Sequence, residues 1–195
     1  DIALASGTFP LGIGYVASAI KQILEDKVDI KIFKYPNVLE EAIQEKVPDV
    51  FMCSNYIWNQ NLCLSFAKAI KEMSDRTLVI CGGPNISKEV NKQEAFLRDN
   101  PFLDFYVINE GEYAAAVLLD AFYNINCDIA LLKRHNSPQC LTIQPDNQFF
   151  SGVAVPRIGV KGRASQSFDW NKNVNFNELD DVKSPFLTNL MDDFF

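Results

Sequence analysis

The chain has 195 residues, of which 48% are hydrophobic, so it can bury one sizeable core but leaves little room for a second complete domain. Its formal net charge of -7, without any Lys/Arg run longer than two, excludes nucleic acid as an expected partner. No apolar stretch reaches the roughly 18 residues that span a bilayer, and no basic segment followed by an apolar one opens the chain. We therefore expect a cytoplasmic protein with no membrane partner.

The ends of the chain predict a piece of a longer protein, and the cysteines predict thiols that are kept reduced. The chain begins at Asp1 and ends on Phe195 without a polar tail, so we expect both ends to be cuts in a longer protein. The five cysteines are too widely and irregularly spaced for a disulfide framework or a zinc site with paired CxxC ligands. We interpret them as buried reduced thiols.

Residues 1 to about 124 alternate short apolar runs with segments whose apolar residues recur at helical spacing. This alternation is typical of a parallel α/β sheet. Strands are predicted at 2–5, 28–33, 50–53, 78–81 and 105–108. All except the second are continuous apolar runs, as expected for strands covered on both faces. Helices are predicted at 13–24, 39–43, 62–73, 88–98 and 113–122.

Beyond about residue 125 the alternation ends. Two short β-like runs, 140–144 and 149–155, flank Pro145-Asp146-Asn147 and predict a hairpin, and the polar stretch 161–177 is predicted to be an irregular connector. We divide the chain into a domain at 1–124 and an extension at 125–195.

The loops that follow the strands are the expected ligand site, because open parallel sheets bind ligands outside the carboxyl ends of their strands. These loops are 6–14, 54–59, 82–84 and 109–112, and three of the four are rich in glycine. Glycines let a backbone approach a bulky ligand closely. The first loop is not GxGxxG, and no GK[ST] phosphate loop is present, which argues against nicotinamide and ATP. Glycines that only form tight turns are the alternative.

Taken together, the loops resemble cobalamin-binding domains of the methionine synthase and mutase type. In that family a DxHxxG motif follows the first strand, an SxL motif follows the third strand and a GG pair follows the fourth strand. Ser54 and Gly82-Gly83 stand at matching places, and Gly12 matches the final glycine of DxHxxG. Gly7 replaces the Asp, and Phe9 replaces the His that is the lower cobalt ligand in the mutase type.

Further phrases resemble the cobalamin domains that are fused to radical S-adenosylmethionine (SAM) domains. They are Pro10-Leu11-Gly12-Ile13-Gly14-Tyr15, Gly82-Gly83-Pro84-Asn85, Asn109-Glu110-Gly111-Glu112 and the closing 179–187. The resemblance implies a Rossmann-like (flavodoxin-like), doubly wound five-stranded parallel sheet of order 2-1-3-4-5. It also implies cobalamin bound without a His lower ligand, with its benzimidazole tail inserted between the first and third strands.

The resemblance also implies which residues contact the cofactor. Ser54 would hydrogen-bond the tail, Gly82 and Gly83 would line its slot, and Tyr56 and Trp58 would face the corrin. The full set is Thr8, Phe9, Pro10, Leu11, Gly12, Ser54, Asn55, Tyr56, Trp58, Gly82, Gly83, Pro84, Asn109, Glu110 and Gly111. Two alternatives remain open. In the first, Ser54 caps nearby backbone amides. In the second, Tyr56 and Trp58 are core residues.

We predict no catalytic residue and no metal ligand within the chain. Glu110 and Glu112 have the pattern of paired carboxylates, but their position favours a structural role in which Asn109 is the N-cap and the acids complement the helix dipole. The single histidine, His135, is interpreted as a solvated loop residue.

The chain lacks the CxxxCxxC cysteines that hold the iron–sulfur cluster of a radical SAM enzyme. The resemblance therefore implies that the cluster, S-adenosylmethionine and the active site belong to a following radical SAM domain. That domain is the expected partner, in a parent enzyme of methyltransferase or related type. The chain alone is then a cofactor-binding module. The alternative is a degenerate flavodoxin-like scaffold that serves only to dock its catalytic half. A receiver-like regulator is not expected, because the strand ends lack the acidic cluster that such a regulator needs.

Overall fold

The computed structural model describes residues 10–135, 137–152 and 181–192. Within these ranges the chain forms six α-helices and five strands, with short 3-10 turns at Glu25–Lys27 and Pro185–Leu187. The helices are α1 (Leu11–Leu24), α2 (Pro36–Glu45), α3 (Gln60–Met73), α4 (Val90–Asp99), α5 (Gly111–Asn124) and α6 (Ile129–Arg134). The strands are β1 (Val50–Ser54), β2 (Leu78–Gly82), β3 (Phe105–Val107), β4 (Cys140–Ile143) and β5 (Phe149–Ser151).

The five strands form one mixed sheet in the order β1-β2-β3-β4-β5. The pairs β1/β2 and β2/β3 are parallel, with Val50 opposite Leu78 and Ile80 opposite Phe105. The pairs β3/β4 and β4/β5 are antiparallel. The third, fourth and fifth predicted strands are thus adjacent in the predicted order, but the prediction of a wholly parallel sheet is wrong for the described residues. The C-terminal hairpin joins the sheet as an antiparallel edge.

The second predicted strand, 28–33, is not a strand in the structure, and the first, 2–5, lies outside the described residues. Val28 has extended backbone angles, and both Val28 and Ile30 pack against the core. The prediction of a strand here is therefore wrong, although Val28 and Ile30 do face the core as the alternating sequence suggested. A strand also requires backbone hydrogen bonds to a neighbour, and hydrophobic alternation alone carries no information about that neighbour.

Helices cover both faces of the sheet, because alternate strand residues point to opposite sides. One core cluster joins sheet residues to α1 and α5, and includes Ile20, Leu24, Ile80, Phe105, Ala115 and Leu118. The other joins sheet residues to α3 and α4, and includes Ile70, Val79, Cys81, Leu97 and Tyr106. The doubly wound arrangement is confirmed for these strands, and each of the five predicted helices is present as α1 to α5.

Helix α6 was not predicted from the sequence. Asp128 caps it by accepting a hydrogen bond from the Leu131 amide at 2.8 Å, and Lys133 and Arg134 lie in its last turn, where cations complement the helix dipole. An Asp before an apolar run that ends in two basic residues is a recognisable signal. The helix has only six residues, too few for apolar periodicity to reveal it.

The cysteines are free thiols, as predicted, but not all are buried. Cys81 and Cys140 are buried, Cys53 and Cys63 are half-buried, and Cys127 is exposed. Cys127 lies in the turn between α5 and α6 with a positive φ of 60°. Turns run over the surface, which explains why this thiol departs from the expected burial. None of the described helices is both long and apolar enough to cross a membrane.

Two lysines share a buried carboxylate at the amino edge of the parallel strands. Asp104, directly before β3, is 2% exposed and contacts Lys71 Nζ at 2.7 Å and Lys133 Nζ at 2.8 Å. Its carboxylate also accepts a hydrogen bond from the Val79 amide at 2.9 Å. These contacts connect α3, α6, β2 and β3 through one side chain.

Replacement of Asp104 by Asn is expected to destabilise the fold by about 3 kcal/mol, because two partly buried ammonium groups lose their counter-charge. The free energy of unfolding from urea denaturation, followed by circular dichroism, measures this loss. Glu72→Gln is the matched control, since Glu72 forms only an exposed pair with Lys68 at 3.9 Å and should cost less than about 0.5 kcal/mol. Equal losses in the two variants would contradict this account of Asp104.

Candidate functional site

The ends of β1, β2 and β3 lie side by side at one edge of the sheet, since the three strands are parallel neighbours. The loops that follow them begin at Asn55, Gly83 and Ile108. The first two are joined directly, because the Asn55 amide donates a hydrogen bond to the Gly82 carbonyl at 2.6 Å. The structure therefore brings together three of the four loops that the sequence singled out.

A buried polar network holds these loops in place. Asn55 is fully buried, and its Nδ2 donates to the Asn85 carbonyl at 3.2 Å and to the Tyr106 hydroxyl at 3.3 Å. Tyr106 in turn donates to the Gly83 carbonyl at 2.9 Å. Burial raises the pKa of Tyr106 above its usual range, which keeps the phenol protonated as a donor. Asn55 thus supports the loops, and its predicted role as a direct cofactor contact stays a prediction.

The two glycines after β2 differ in what the protein itself requires of them. Gly83 has φ +112°, and a Cβ there would lie 2.7 Å from the Asn55 carbonyl oxygen, so the packing of the loops demands glycine. A Cβ on Gly82 would meet the Val107 carbonyl oxygen at 3.4 Å and the Val107 Cβ at 3.5 Å, which are ordinary contacts. The tight-turn alternative therefore explains Gly83 but leaves Gly82 without a structural reason. Pro84 continues the same loop.

The loop after β1 exposes a pair of stacked aromatic rings. Tyr56 and Trp58 lie with ring centroids 4.8 Å apart and planes 11° from parallel. Trp58 is 54% exposed and Tyr56 is half-buried, so the alternative that these two rings belong to the core fails for Trp58. The intervening Ile57 is 81% exposed. Asn59 fixes the loop by accepting from the Tyr56 amide at 2.7 Å and donating to the Ser54 carbonyl at 2.9 Å.

Asn59 therefore has the capping role that was an alternative for Ser54. Ser54 is half-buried at the end of β1, and its hydroxyl donates no hydrogen bond to another described residue. Its predicted contact with a ligand stays a prediction. Asn59 directly precedes α3 as its N-cap residue, and an asparagine before a segment of helical apolar spacing is a signal that the sequence offered.

The start of α1 provides the next part of the site. Leu11 is 42% exposed, Pro10 accepts from the Gly14 amide at 3.0 Å, and a Cβ on Gly12 would meet nothing within 4 Å. Helix α1 packs against α5, so closely that a Cβ on Gly111 would lie 3.4 Å from a methyl of Val16. The beginning of α1 is thereby placed near the loop after β3. Thr8 and Phe9 lie outside the described residues.

The loop after β3 departs from the prediction at Asn109. The N-cap of α5 is Glu110, without a side-chain capping bond, and Asn109 instead adopts the left-handed region at φ 63°. Asparagine tolerates this region better than other non-glycine residues, which is a turn role rather than a capping role. Glu112 does lie in the first helical turn, where its charge complements the helix dipole. Glu110 is exposed.

His135 follows α6 directly, in the segment that leads to β4, and it is half-buried, so its predicted loop position is confirmed but full solvation is not. Lys133, two residues earlier, contacts Asp104 before β3. Four residues further on, the Gln139 carbonyl accepts from the Ile108 amide at 2.9 Å, at the start of the loop after β3. In the described part of the chain, no group of three or more His, Cys, Asp or Glu residues is arranged to hold a metal ion.

This fold and edge define a class of protein: a doubly wound α/β domain whose strand-end loops present an open, glycine-containing and aromatic surface to a ligand. The family model described as the B12 binding domain matches residues 2–119. The chain belongs to the B12 binding domain family and contains a cobalamin-binding module, which confirms the resemblance found in the sequence.

The chain is also similar in sequence to two curated relatives. The chain is 28% identical over 165 residues to the cobalamin-dependent radical SAM methyltransferase TokK of Streptomyces tokunonensis, covering 82% of this chain and 20% of that protein. It is 33% identical over 92 residues to 2-(S-pantetheinyl)-carbapenam-3-carboxylate methyltransferase of Streptantibioticus cattleyicolor, covering 45% of this chain and 13% of that protein. The chain thus spans about a fifth or less of the length of each relative.

Replacement of Gly83 by Ala is expected to destabilise the protein by about 3 kcal/mol, because the new methyl collides with the Asn55 backbone and the positive φ is strained. Gly12→Ala is the matched control, since that Cβ enters open space. Alanine near the start of a helix should leave stability unchanged or raise it by up to about 1 kcal/mol. Chemical denaturation of both variants tests the difference. Similar stability in both would show that the two loops are not held as closely as the structure indicates.

Proposed function

We propose that this chain binds a corrinoid at the carboxyl edge of β1 and β2, without a histidine below the cobalt, as the cofactor module of a radical SAM methyltransferase. The observation that carries the proposal is the combination at one edge of exposed aromatic surface and a glycine, Gly82, that the protein's own packing does not require. Membership of the B12 binding domain family identifies the ligand class that such an edge serves.

The residues at this edge fit a corrinoid in size and chemistry. A corrin ring is broad and largely apolar across its faces, and the exposed side chains of Leu11, Ile57 and Trp58 offer it apolar area. Exposed apolar groups clustered at one edge are a common mark of a ligand surface. The Tyr56–Trp58 stack adds a rigid platform, since neither ring has to be ordered on binding.

The tail of the cofactor, predicted to lie between the first and third predicted strands, would contact groups at the carboxyl ends of β1 and β2. Ser54 would donate its hydroxyl to the displaced benzimidazole, and the missing side chain of Gly82 would leave space beside it. Phe9 occupies the position at which the mutase type has its histidine ligand. The cobalt would therefore lack a histidine ligand from that position.

The chemistry of the parent protein is a further part of the proposal. Bound cobalamin supplies a methyl group at cobalt, while the residues described above bind and orient it. The iron–sulfur cluster and S-adenosylmethionine would belong to a radical SAM domain elsewhere in the parent protein, in keeping with the names of the relatives. The domain division at residue 124 and the cytoplasmic location remain predictions.

The replacement of the family histidine by Phe9 also favours a second candidate, a flavodoxin-like docking scaffold that has lost its corrinoid. The two functions differ in one measurable property. A cofactor module retains a corrinoid, whereas a docking scaffold does not.

Titration with hydroxocobalamin, followed by desalting and an ultraviolet-visible spectrum, separates the two candidates. We expect a retained corrin spectrum that lacks the signature of imidazole ligation. Loss of all corrin from the full-length protein would support the docking scaffold, and an imidazole-ligated spectrum would contradict the proposed role of Phe9.

Trp58→Ala is expected to weaken corrinoid binding about tenfold, because an exposed aromatic contact is lost at the edge that carries the ligand. Tyr123→Ala is the control: Tyr123 is similarly exposed, at 47%, but lies at the far end of α5, on the opposite edge of the sheet. Dissociation constants from titration of both variants provide the measurement. Equal weakening by the two substitutions would place the corrinoid elsewhere.

A further inference from the structure

Three buried side-chain oxygens in the described residues have no hydrogen-bond partner, and all three belong to residues that flank the loop after β3. They are Ser137 Oγ, Gln139 Oε1 and Glu112 Oε2. Ser137 and Gln139 lie in the turn before β4, and Glu112 lies in the first turn of α5. An unpaired buried polar group is destabilising, so three of them around one loop require an explanation.

The turn before β4 lies at the same edge of the sheet as the candidate site. Because β4 runs antiparallel to β3, its first residue, Cys140, pairs with Val107 at the end of β3. The Gln139 carbonyl accepts from the Ile108 amide at 2.9 Å, which joins the turn to the loop after β3. Neighbouring strands are about 5 Å apart, so the turn is about 10 Å from the end of β2. A broad ligand on the loops after β1 and β2 spans such a distance.

The backbone of this turn is fixed by its neighbours. A Cβ on Gly152 would lie 2.7 Å from the Ser137 carbonyl oxygen and 2.9 Å from the Gln139 nitrogen, so the turn packs directly against the chain after β5. The Gly152 amide also donates to the Cys140 carbonyl at 2.8 Å. Gln139 itself adopts the left-handed region at φ 56°, which is strained for a glutamine. Binding at this turn would therefore require side chains to move, but not the backbone.

The two unpaired groups of the turn define the chemistry of a ligand. Ser137 is only 1% exposed and its hydroxyl can donate or accept, whereas Gln139 Oε1 can only accept. A carboxamide complements both groups, because its carbonyl oxygen accepts from the Ser137 hydroxyl and its N–H donates to Gln139 Oε1. An anionic group offers no such donor, and the carboxylate of Glu112 on the other side of the loop disfavours it.

We propose that Ser137 and Gln139 form a subsite for one carboxamide arm of the corrinoid. The identity of the ligand rests on the proposed function, since cobalamin carries carboxamide arms around its corrin ring. Gln139 is half-buried, so rotation of its side chain admits the arm while the backbone stays in place. Both residues lie beyond 2–119, the residues that the family model matches, so the extension rather than the matched domain supplies this contact.

Substitution of Ser137 distinguishes a ligand contact from a structural hydroxyl. Ser137→Ala removes an unpaired buried group and is expected to raise the melting temperature of the ligand-free protein by about 3 °C. Ser18→Ala is the matched control, because Ser18 is equally buried but donates its hydroxyl to the Lys183 carbonyl at 2.6 Å. Its melting temperature should fall. A fall in Ser137→Ala as well would show that this hydroxyl is paired within the protein, and would overturn the proposal.

Titration of the same variants with hydroxocobalamin tests the contact itself. Ser137→Ala is expected to weaken corrinoid binding about fivefold, because a hydrogen bond to the arm is lost. Gln139→Met keeps the length of the side chain but removes the unpaired oxygen, and should weaken binding to a similar extent. Ser18→Ala should bind as the wild type does. Wild-type affinity in both Ser137→Ala and Gln139→Met would overturn the subsite and leave the proposed function intact.

A probe without a corrin ring separates the subsite from the proposed function. Propionamide offers the carboxamide group alone, and propionate is an anion of the same shape without an N–H donor. In NMR spectra of the backbone amides, propionamide is expected to shift the resonances of residues 137–140 in the wild type but not in Ser137→Ala, and propionate should shift neither. If the wild type binds no hydroxocobalamin, the proposed function fails, while the propionamide shifts still show a carboxamide subsite. Absence of these shifts would overturn the subsite.

Discussion

The close approach of the Asn55 and Gly83 backbones is the constraint on which the site depends. A hydrogen bond of 2.6 Å from Asn55 to Gly82 and the absence of a Cβ on Gly83 allow the loops after β1 and β2 to lie against each other. Tyr106 secures the contact from below, since its hydroxyl reaches the Gly83 carbonyl. Because these buried polar groups satisfy one another, the loops are held without a ligand, and little ordering remains to be done on binding.

This internal satisfaction also separates the residues that support the loops from those that are exposed. Asn55, Asn59 and Tyr106 direct their polar groups at the protein, whereas Trp58, Ile57 and Leu11 leave apolar surface outside it. The polar side chains beneath this apolar surface are thus paired within the protein.

The sequence predicted the elements well because their apolar periods are strong, and it predicted that the loops after β1, β2 and β3 lie at one edge because parallel strands end together. It could not predict that 28–33 is not a strand among the described residues or that the hairpin pairs with β3, because pairing is a long-range property. Asn109 illustrates a local limit: asparagine favours both capping and left-handed turns, and only the path of the chain into α5 decides between them. The position of Asn55 directly after a strand predicted a ligand contact. Its burial among Tyr106, Gly83 and Asn85 depends on tertiary contacts that sequence spacing does not reveal.

Under the proposed function, Phe9 in place of the family histidine would change how the site holds its cofactor. A histidine ligand fixes cobalt through one strong bond, so the surrounding surface needs to contribute less. Without that bond, affinity must come from the area of the corrin and from the slot for its tail, which places greater weight on preorganised apolar contacts. The stacked rings of Tyr56 and Trp58 and the fixed path of Gly82-Gly83 are features of that kind. Under the proposed function, the chemistry at cobalt would then be controlled by the proposed radical SAM domain rather than by a ligand from this module.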